Sequence, residues 1–223
     1  MESIFVPLND TGITWSGEIP STNNDECSNQ TITSPQDCNT GRDFTHNDDS
    51  DGHAGFSFTK LDANGVPLFN QNALYINSPW SCVKDNVTGL IWEVKTNTAG
   101  IHNKNNLYQW GGLTAIGLDH PERQGTYYND WNNLIQESNN EMHCGINNWR
   151  VPTVGELGGI VDNSVNNPSI DINYFPNTIS GWYWTSTPDA SNQDTALVIR
   201  FDANQLNNLA RNFPIYVRLV HSN

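Results

Sequence analysis

The stretch Cys144–Asp162, CGINNWRVPTVGELGGIVD, decides how the rest of the chain is read. Within one short run it holds a half-cystine, a Trp of the kind usually buried, an Arg, a Pro and a helix start. Thr153 is placed to act as N-cap and Glu156 as its N3 partner, a capping box of the S/T-x-x-E form. Behind the cap, Leu157, Ile160 and Val161 fall at i, i+3 and i+4 and make one apolar stripe. Pro152 cannot continue a preceding helix, so Trp149–Val151 arrives extended and the helix is expected over 153–162. Gly155, Gly158 and Gly159 each weaken that helix by roughly 1 kcal/mol relative to Ala. Small residues there fit either the close approach of another backbone or a poor helix. Arg150 reads as one half of a structural ion pair.

Outward from this stretch the composition favours turns, loops and short strands. Of 223 residues, 36% are hydrophobic, 10% aromatic and only 15% charged. Asn, Ser, Thr and Gly dominate the rest, and Asn and Gly are poor helix formers. Eight Trp and seven Tyr require a real core. The formal charge of −14 repels phosphate backbones, which argues against nucleic-acid binding. It argues equally against simple electrostatic capture of sulfated glycans or anionic lipid. No apolar run reaches membrane-spanning length, so no direct membrane insertion is expected.

Cys27, Cys38, Cys82 and Cys144 match no zinc spacing. An even count in an Asn-rich, Lys-poor chain fits an exported protein with two disulfides. Three connectivities are open; Cys27–Cys38 with Cys82–Cys144 is the expected one, contributing about 3 and about 4 kcal/mol by loop entropy. Met1 is followed by Glu2 and Ser3 rather than by a signal peptide, so the leader of such a protein is expected to have been removed.

Residues 1–43 read as irregular, with a short strand at Ile13–Trp15. The run Asn47-Asp48-Asp49-Ser50-Asp51-Gly52 fits the opening of a calcium loop, with Asn47, Asp49 and Asp51 as oxygen ligands. Phe58 stands where an EF-hand needs a bidentate Glu, so an EF-hand is excluded. A calcium-stapled loop completed by Asp43 or a backbone carbonyl, and a solvated acidic turn, both remain open. Phe56–Leu61 alternates with period two and leads through Asp62-Ala63-Asn64-Gly65 into Val66–Leu68, a hairpin. Cys82–Lys84 turns at Asp85-Asn86 into Thr88–Val94, a central strand. Tyr108–Trp110 reads as a short strand, and Trp131, Leu134 and Ile135 share one face of a helix over 128–139. After a long loop, 163–181, three strands follow at Trp182–Thr187, Thr195–Phe201 and Ile215–Val220. Together these give one α+β unit: residues 1–79 an N-terminal extension with the acidic loop and hairpin, packed on the same unit as 80–223.

Five ordered motifs carry a family resemblance. They are TGLIWE (88–93), CGxxxWRxPTxxEL (144–157), IDxxYFPN (170–177), WYWTST (182–187) and YVRLV (216–220). In this order they resemble the C-terminal domain of the Legionella collagen-like adhesin over about 80–223. The resemblance implies a C-type-lectin-like fold, two helices packed on small antiparallel sheets with long loops. It also implies that Trp92, Trp149, Arg150, Glu156, Trp184 and Arg218 define the fold as core aromatics, a cap and interior ion pairs. A ligand site would lie in the long loops 163–181 and 188–194, where Asp162, Asn166, Asp171, Asp189 and Asp194 are available. Carboxylates and amides there suit a calcium that chelates sugar hydroxyls, with Tyr174 or Trp182 stacking on the ring. No Glu-Pro-Asn or Gln-Pro-Asp signature of calcium-dependent sugar lectins occurs.

A hydrolase would need a nucleophile with a base, or paired carboxylates in a cleft. The chain has no G-x-S-x-G and no H-E-x-x-H, and its six histidines show no metal spacing and read as lone surface residues, with His46 and His53, which flank the acidic loop, as the two that could join a metal site there. Formylglycine-generating relatives use a cysteine pair near the C-terminal end of the chain, and no Cys follows Cys144. The expected function is therefore a non-catalytic, exported binding module of a bacterial surface or secreted protein. Its partner would be a glycan or a surface protein of another cell or matrix, with calcium as the one candidate cofactor. The alternative is a structural or assembly domain of a surface appendage, as a homo-oligomer.

Overall fold

The central strand-forming runs of this chain carry apolar residues on both faces, and both faces are buried. The computed structural model describes residues 9–18, 22–24, 36–37, 40–46, 49–111 and 131–222. In chain order its elements are β1 (Ser16–Glu18), β2 (Thr22–Asn24), α1 (Arg42–Thr45), β3 (Phe58–Leu61), β4 (Cys82–Asp85) and β5 (Ile91–Glu93). Then come α2 (Asn132–Asn140), α3 (Val154–Gly158), β6 (Trp182–Pro188), β7 (Thr195–Arg200), β8 (Gln205–Ala210) and β9 (Val220–His221). The strands β3-β4-β5-β9 form one antiparallel sheet, β6-β7-β8 a second, and β1-β2 a small third. The arrangement is α+β.

Successive side chains of a strand point to opposite faces. Accordingly Cys82 and Val83, Ile91 and Trp92, Tyr183 and Trp184, and Val198 and Ile199 each divide between two apolar clusters. One cluster gathers Phe58, Trp92, Leu157, Ile160 and Phe175; the other gathers Trp110, Trp131, Leu134, Trp149 and Trp184. Trp92, Trp149 and Trp184 are buried core residues. The disulfide Cys82–Cys144 is formed and ties β4 to the turn before the Trp149-Arg150 pair. The expected Cys27–Cys38 pair lies outside the described residues.

The helix expected over 153–162 is shorter than its stripe predicts. The Thr153–Glu156 capping box forms, but α3 ends at Gly158 and the Gly159 N–H turns back to the Gly155 and Glu156 carbonyls. Leu157, Ile160 and Val161 still enter one cluster together. A Cβ added at Gly155 would meet nothing, so the glycines make a weak helix and do not admit a neighbouring backbone. Arg150 forks onto both Glu156 oxygens at 2.8 and 2.6 Å, the ion pair expected of it. Arg218, expected in an interior ion pair, is fully buried and donates instead to neutral oxygens, the Glu93 carbonyl at 2.6 Å and Thr178 Oγ1 at 2.7 Å.

The Glu156 pair has a measurable acid signature. Burial alone would raise the Glu156 carboxyl, but the Arg150 fork and the Thr153 N–H outweigh it and hold the pKa below its ordinary value. A depressed folded pKa stabilises the fold above the unfolded value of about 4.3 and loses that contribution as pH falls through the folded pKa. Glu156→Gln is expected to cost roughly 1 kcal/mol at neutral pH. In urea melts against pH that difference should shrink on acidification, and a pH-independent difference would show that the charge contributes nothing.

The three expected C-terminal strands are rearranged. β6 and β7 form as read, but the third strand of this sheet is β8, a polar Asn-rich edge strand paired in full register with β7. Ile215–Val220 is not one strand. Ile215 bridges Tyr108, Tyr216 bridges Tyr183, and Val220 enters β9 beside β5, so this segment stitches the two sheets together. Tyr108–Trp110 contributes only the Tyr108 bridge. The strand expected at Ile13–Trp15 begins at Ser16 instead. The helix expected over 128–139 runs Asn132–Asn140, with 128–130 outside the described residues.

The N-terminal part packs on the same unit. β3 pairs with β4, and the turn after it needs Gly65, where φ is +78° and a Cβ would run into the Cys144 carbonyl. Residues 9–12 strap across the far side. Asn9 donates to Asp85 at 2.5 Å and to the Gly159 carbonyl at 2.9 Å, and the Asn163 N–H donates to the Thr11 carbonyl at 2.8 Å. No helix among the described residues is long and apolar enough to cross a membrane.

Candidate functional site

Two adjoining clefts open where the acidic loop meets the long loop after α3. The larger, about 520 Å³, is lined by Asp49, His53, Asp162, Asn166 and Asp171 among others. The smaller, about 290 Å³, is lined by Asp49, Lys60, Gln71, Tyr75, Trp80, Asp171, Asn173 and Tyr174 among others. Asp49, Asp171, Ile172 and Asn173 belong to both, so the two clefts share a wall.

Each wall is held by turn chemistry. Asp49 Oδ1 accepts the Ala54 N–H at 3.0 Å and Asp51 Oδ2 accepts the Ser57 hydroxyl at 2.5 Å, which shape the acidic loop from within. Asp162 is buried beside Gly12, whose lack of a Cβ makes room for its carboxylate, and its Oδ1 accepts from Ser164 N–H and Oγ–H. Asp171 Oδ1 accepts the Asn173 N–H at 2.9 Å. Burial raises the Asp171 pKa, the nearby Asp162 raises it further, and Asn173 opposes both.

At the back of the smaller cleft, Lys60 donates to the Ala73 carbonyl at 3.1 Å, with its ammonium 4.4 Å from the Trp80 ring centre and 4.9 Å from that of Tyr174. Burial pulls the Lys60 pKa below its ordinary value, against the pull of Asp171. Trp80 Nε1 donates to the Tyr174 carbonyl at 2.8 Å, and Tyr75 meets the Trp80 ring edge-on with centres 4.9 Å apart.

The structure thus brings together Asp49 from the acidic loop with Asp162, Asn166, Asp171 and Tyr174 from the long loop after α3. Asp51 stands behind them in the acidic loop. Asn47 and the side chain of Asp43 lie outside the described residues. Trp182, Asp189 and Asp194 line neither cleft. Asp189 and Asp194 sit in the β6–β7 turn, where the Asp189 carboxylate accepts from Ser191, Thr195 and Asn208. Of the two aromatics expected to stack on a ligand, Tyr174 is buried and Trp182 is half-buried. Tyr174 lies between Lys60 and Phe58, and the Arg200 guanidinium covers Trp182 at 5.2 Å. The half-buried Tyr75 and the exposed Leu74 and Ile172 are the apolar residues at the mouth of the smaller cleft.

The model of the Lcl C-terminal domain matches residues 81–221, more than half of the chain. The chain belongs to the Lcl C-terminal domain family. No curated protein and no solved structure matches it. The Lcl C-terminal domain supplies only part of the cleft, from Asp162 to Tyr174. Asp49, Lys60, Gln71, Tyr75 and Trp80 come from residues N-terminal to the match. Sequence reading passed over Lys60, Gln71, Tyr75 and Trp80 because none belongs to a family motif. The one local signal was Tyr75 and Trp80 in the run LYINSPW.

Proposed function

We propose that this chain is a non-catalytic recognition module of an exported bacterial surface protein, and that it takes a glycan in the composite cleft. The lining of the smaller cleft carries this reading. Carboxylates and amides at Asp49, Asp171, Asn173 and Gln71 face the apolar rim of Tyr75, Leu74 and Ile172. A few fixed polar groups set against an apolar surface suit a sugar ring, whose hydroxyls and C–H face need both. The charge of −14 favours a neutral or cationic glycan over a sulfated one. Family membership favours the exported, adhesin-like setting over catalysis. Calcium is the cation that carboxylates such as Asp49, Asp162 and Asp171, which line the larger cleft, would take.

A glycan array in millimolar calcium, repeated with chelator, tests the reading. Signal on one sugar class is expected, and signal lost with chelator would assign calcium a role. Asp171→Asn keeps the hydrogen bond to Asn173 and removes a disfavoured buried charge. It is expected to leave stability unchanged or raise it by less than about 1 kcal/mol, while weakening glycan binding by about tenfold or more. Binding unaffected by Asp171→Asn would place the ligand elsewhere, and a blank array would overturn the glycan reading.

The assembly alternative rests on a separate observation. Phe69 and Ile76 are almost fully exposed on the loop beside the smaller cleft. A stable oligomer in light scattering, together with a blank array, would favour that reading.

A further inference from the structure

The six histidines show no metal spacing in the sequence, yet the fold brings two of them together. Helix α2 ends at Asn140, and Met142 at φ +52° reverses the chain so that His143 follows close behind Glu141. His102 arrives from the 96–106 loop, held by the hydrogen bond from the Thr96 N–H to its carbonyl at 2.9 Å. The two imidazoles stack with centres 3.9 Å apart. Nε2 of His102 lies 2.5 Å from Glu141 Oε1, and Nδ1 of His143 lies 3.6 Å from the same oxygen. We propose that His102, Glu141 and His143 form a binding site for a divalent transition metal of the zinc class.

The groups behind these three support the assignment. His102 Nδ1 faces Glu93 Oε1 at 2.7 Å. Glu93 is itself fixed, with Lys95 Nζ 2.7 Å from the same oxygen and the Leu219 N–H donating to Oε2 at 2.8 Å. With Nδ1–H held by the buried Glu93 carboxylate, Nε2 on the Glu141 side is the His102 nitrogen that can give up its proton to a metal. Metal-binding histidines recur with this arrangement, and Glu93 is the positioning residue here. Nε2 of His143 is buried and makes no hydrogen bond among the described residues, with the Ser81 backbone beside the ring.

The three ligand atoms lie within 4.8 Å of one another. Two imidazole nitrogens and a carboxylate oxygen, with a fourth position left for water, make a donor set that zinc accepts. Glu141 is 47% exposed, so its carboxylate is free to move off His102 Nε2. The ion then takes the place of the proton between them, and that proton leaves to solvent. Sulfurs of Cys82 and Cys144 also lie beside His143, but the disulfide removes them from the ligand set.

The test uses metal-free, disulfide-intact protein titrated calorimetrically with Zn²⁺ alone, with Co²⁺ as a spectroscopic probe of the ligand field. One equivalent of Zn²⁺ is expected to bind and to raise the thermal midpoint. Bound Co²⁺ should show the bands of a nitrogen-coordinated ion. Glu141→Gln, at a half-exposed position that does not threaten folding, should weaken Zn²⁺ binding by at least about tenfold. His143→Phe, which keeps the stacked ring, should abolish the Co²⁺ bands. Failure of the wild-type protein to take up one Zn²⁺, or equal affinity in Glu141→Gln, overturns the proposal.

Discussion

Glu93→Gln is expected to lower the unfolding free energy by about 3–5 kcal/mol, the loss that follows from removing one member of a buried ion pair. Glu93 is fully buried, and Lys95 beside it is nearly so. Burial alone would raise the Glu93 pKa, but Lys95 and His102 more than offset it and hold it well below the carboxylate range. Gln keeps the shape and leaves the Lys95 ammonium buried without its counter-charge. Lys95→Met leaves Glu93 still facing His102 and is expected to cost less. The double variant should fall short of the summed losses by about 1 kcal/mol or more in urea melts, because the two residues touch. Strictly additive losses, or a Glu93→Gln protein within about 1 kcal/mol of wild type, would show that the pair is incidental to the fold.

Removing the Cys82–Cys144 disulfide is the second large effect. The crosslink spans a sequence separation of 62 residues, for which the chain-entropy relation gives about 4 kcal/mol. Both cysteines are buried, Cys82 in the strand next to Glu93 and Cys144 in the turn before Trp149. For a chain of this size the loss corresponds to roughly 10 °C in thermal midpoint. The Cys82→Ala/Cys144→Ala pair is a cleaner test than reductant, which would also reach Cys27 and Cys38. Calorimetric midpoints within a degree or two of wild type would mean that packing around Trp149 and Trp184 already restricts the unlinked chain.

What could be read from the sequence lay within short windows. The capping box at Thr153–Glu156, an ion pair at Arg150 and the turn at Gly65 each depend on residues a few positions apart, and all are present, with Glu156 as the Arg150 partner supplied by the structure. The strands β4 through β7 were legible because burial on both faces gives near-continuous apolar runs. β8 escaped because an exposed edge strand needs no apolar pattern, only the neighbouring strand's hydrogen bonds. Ile215–Val220 carried a strand's pattern but is divided between two sheets, a choice made by tertiary pairing.

The cleft and the histidine cluster follow the same division. Single residues such as Asp49, Asp171 and Tyr174 could be named as candidates, but their convergence with Lys60, Tyr75 and Trp80 could not. Nor could the meeting of the Glu93/His102 pair with the Glu141/His143 pair, because His102 and Glu141 stand 39 residues apart in the chain. Hydrogen bonds along the chain and hydrophobic periodicity are local, so the sequence by itself determined the family, the cap, most strands and the buried tryptophans. Which distant polar groups share a pocket depends on how loops close over the packed core, and only the tertiary structure decided that.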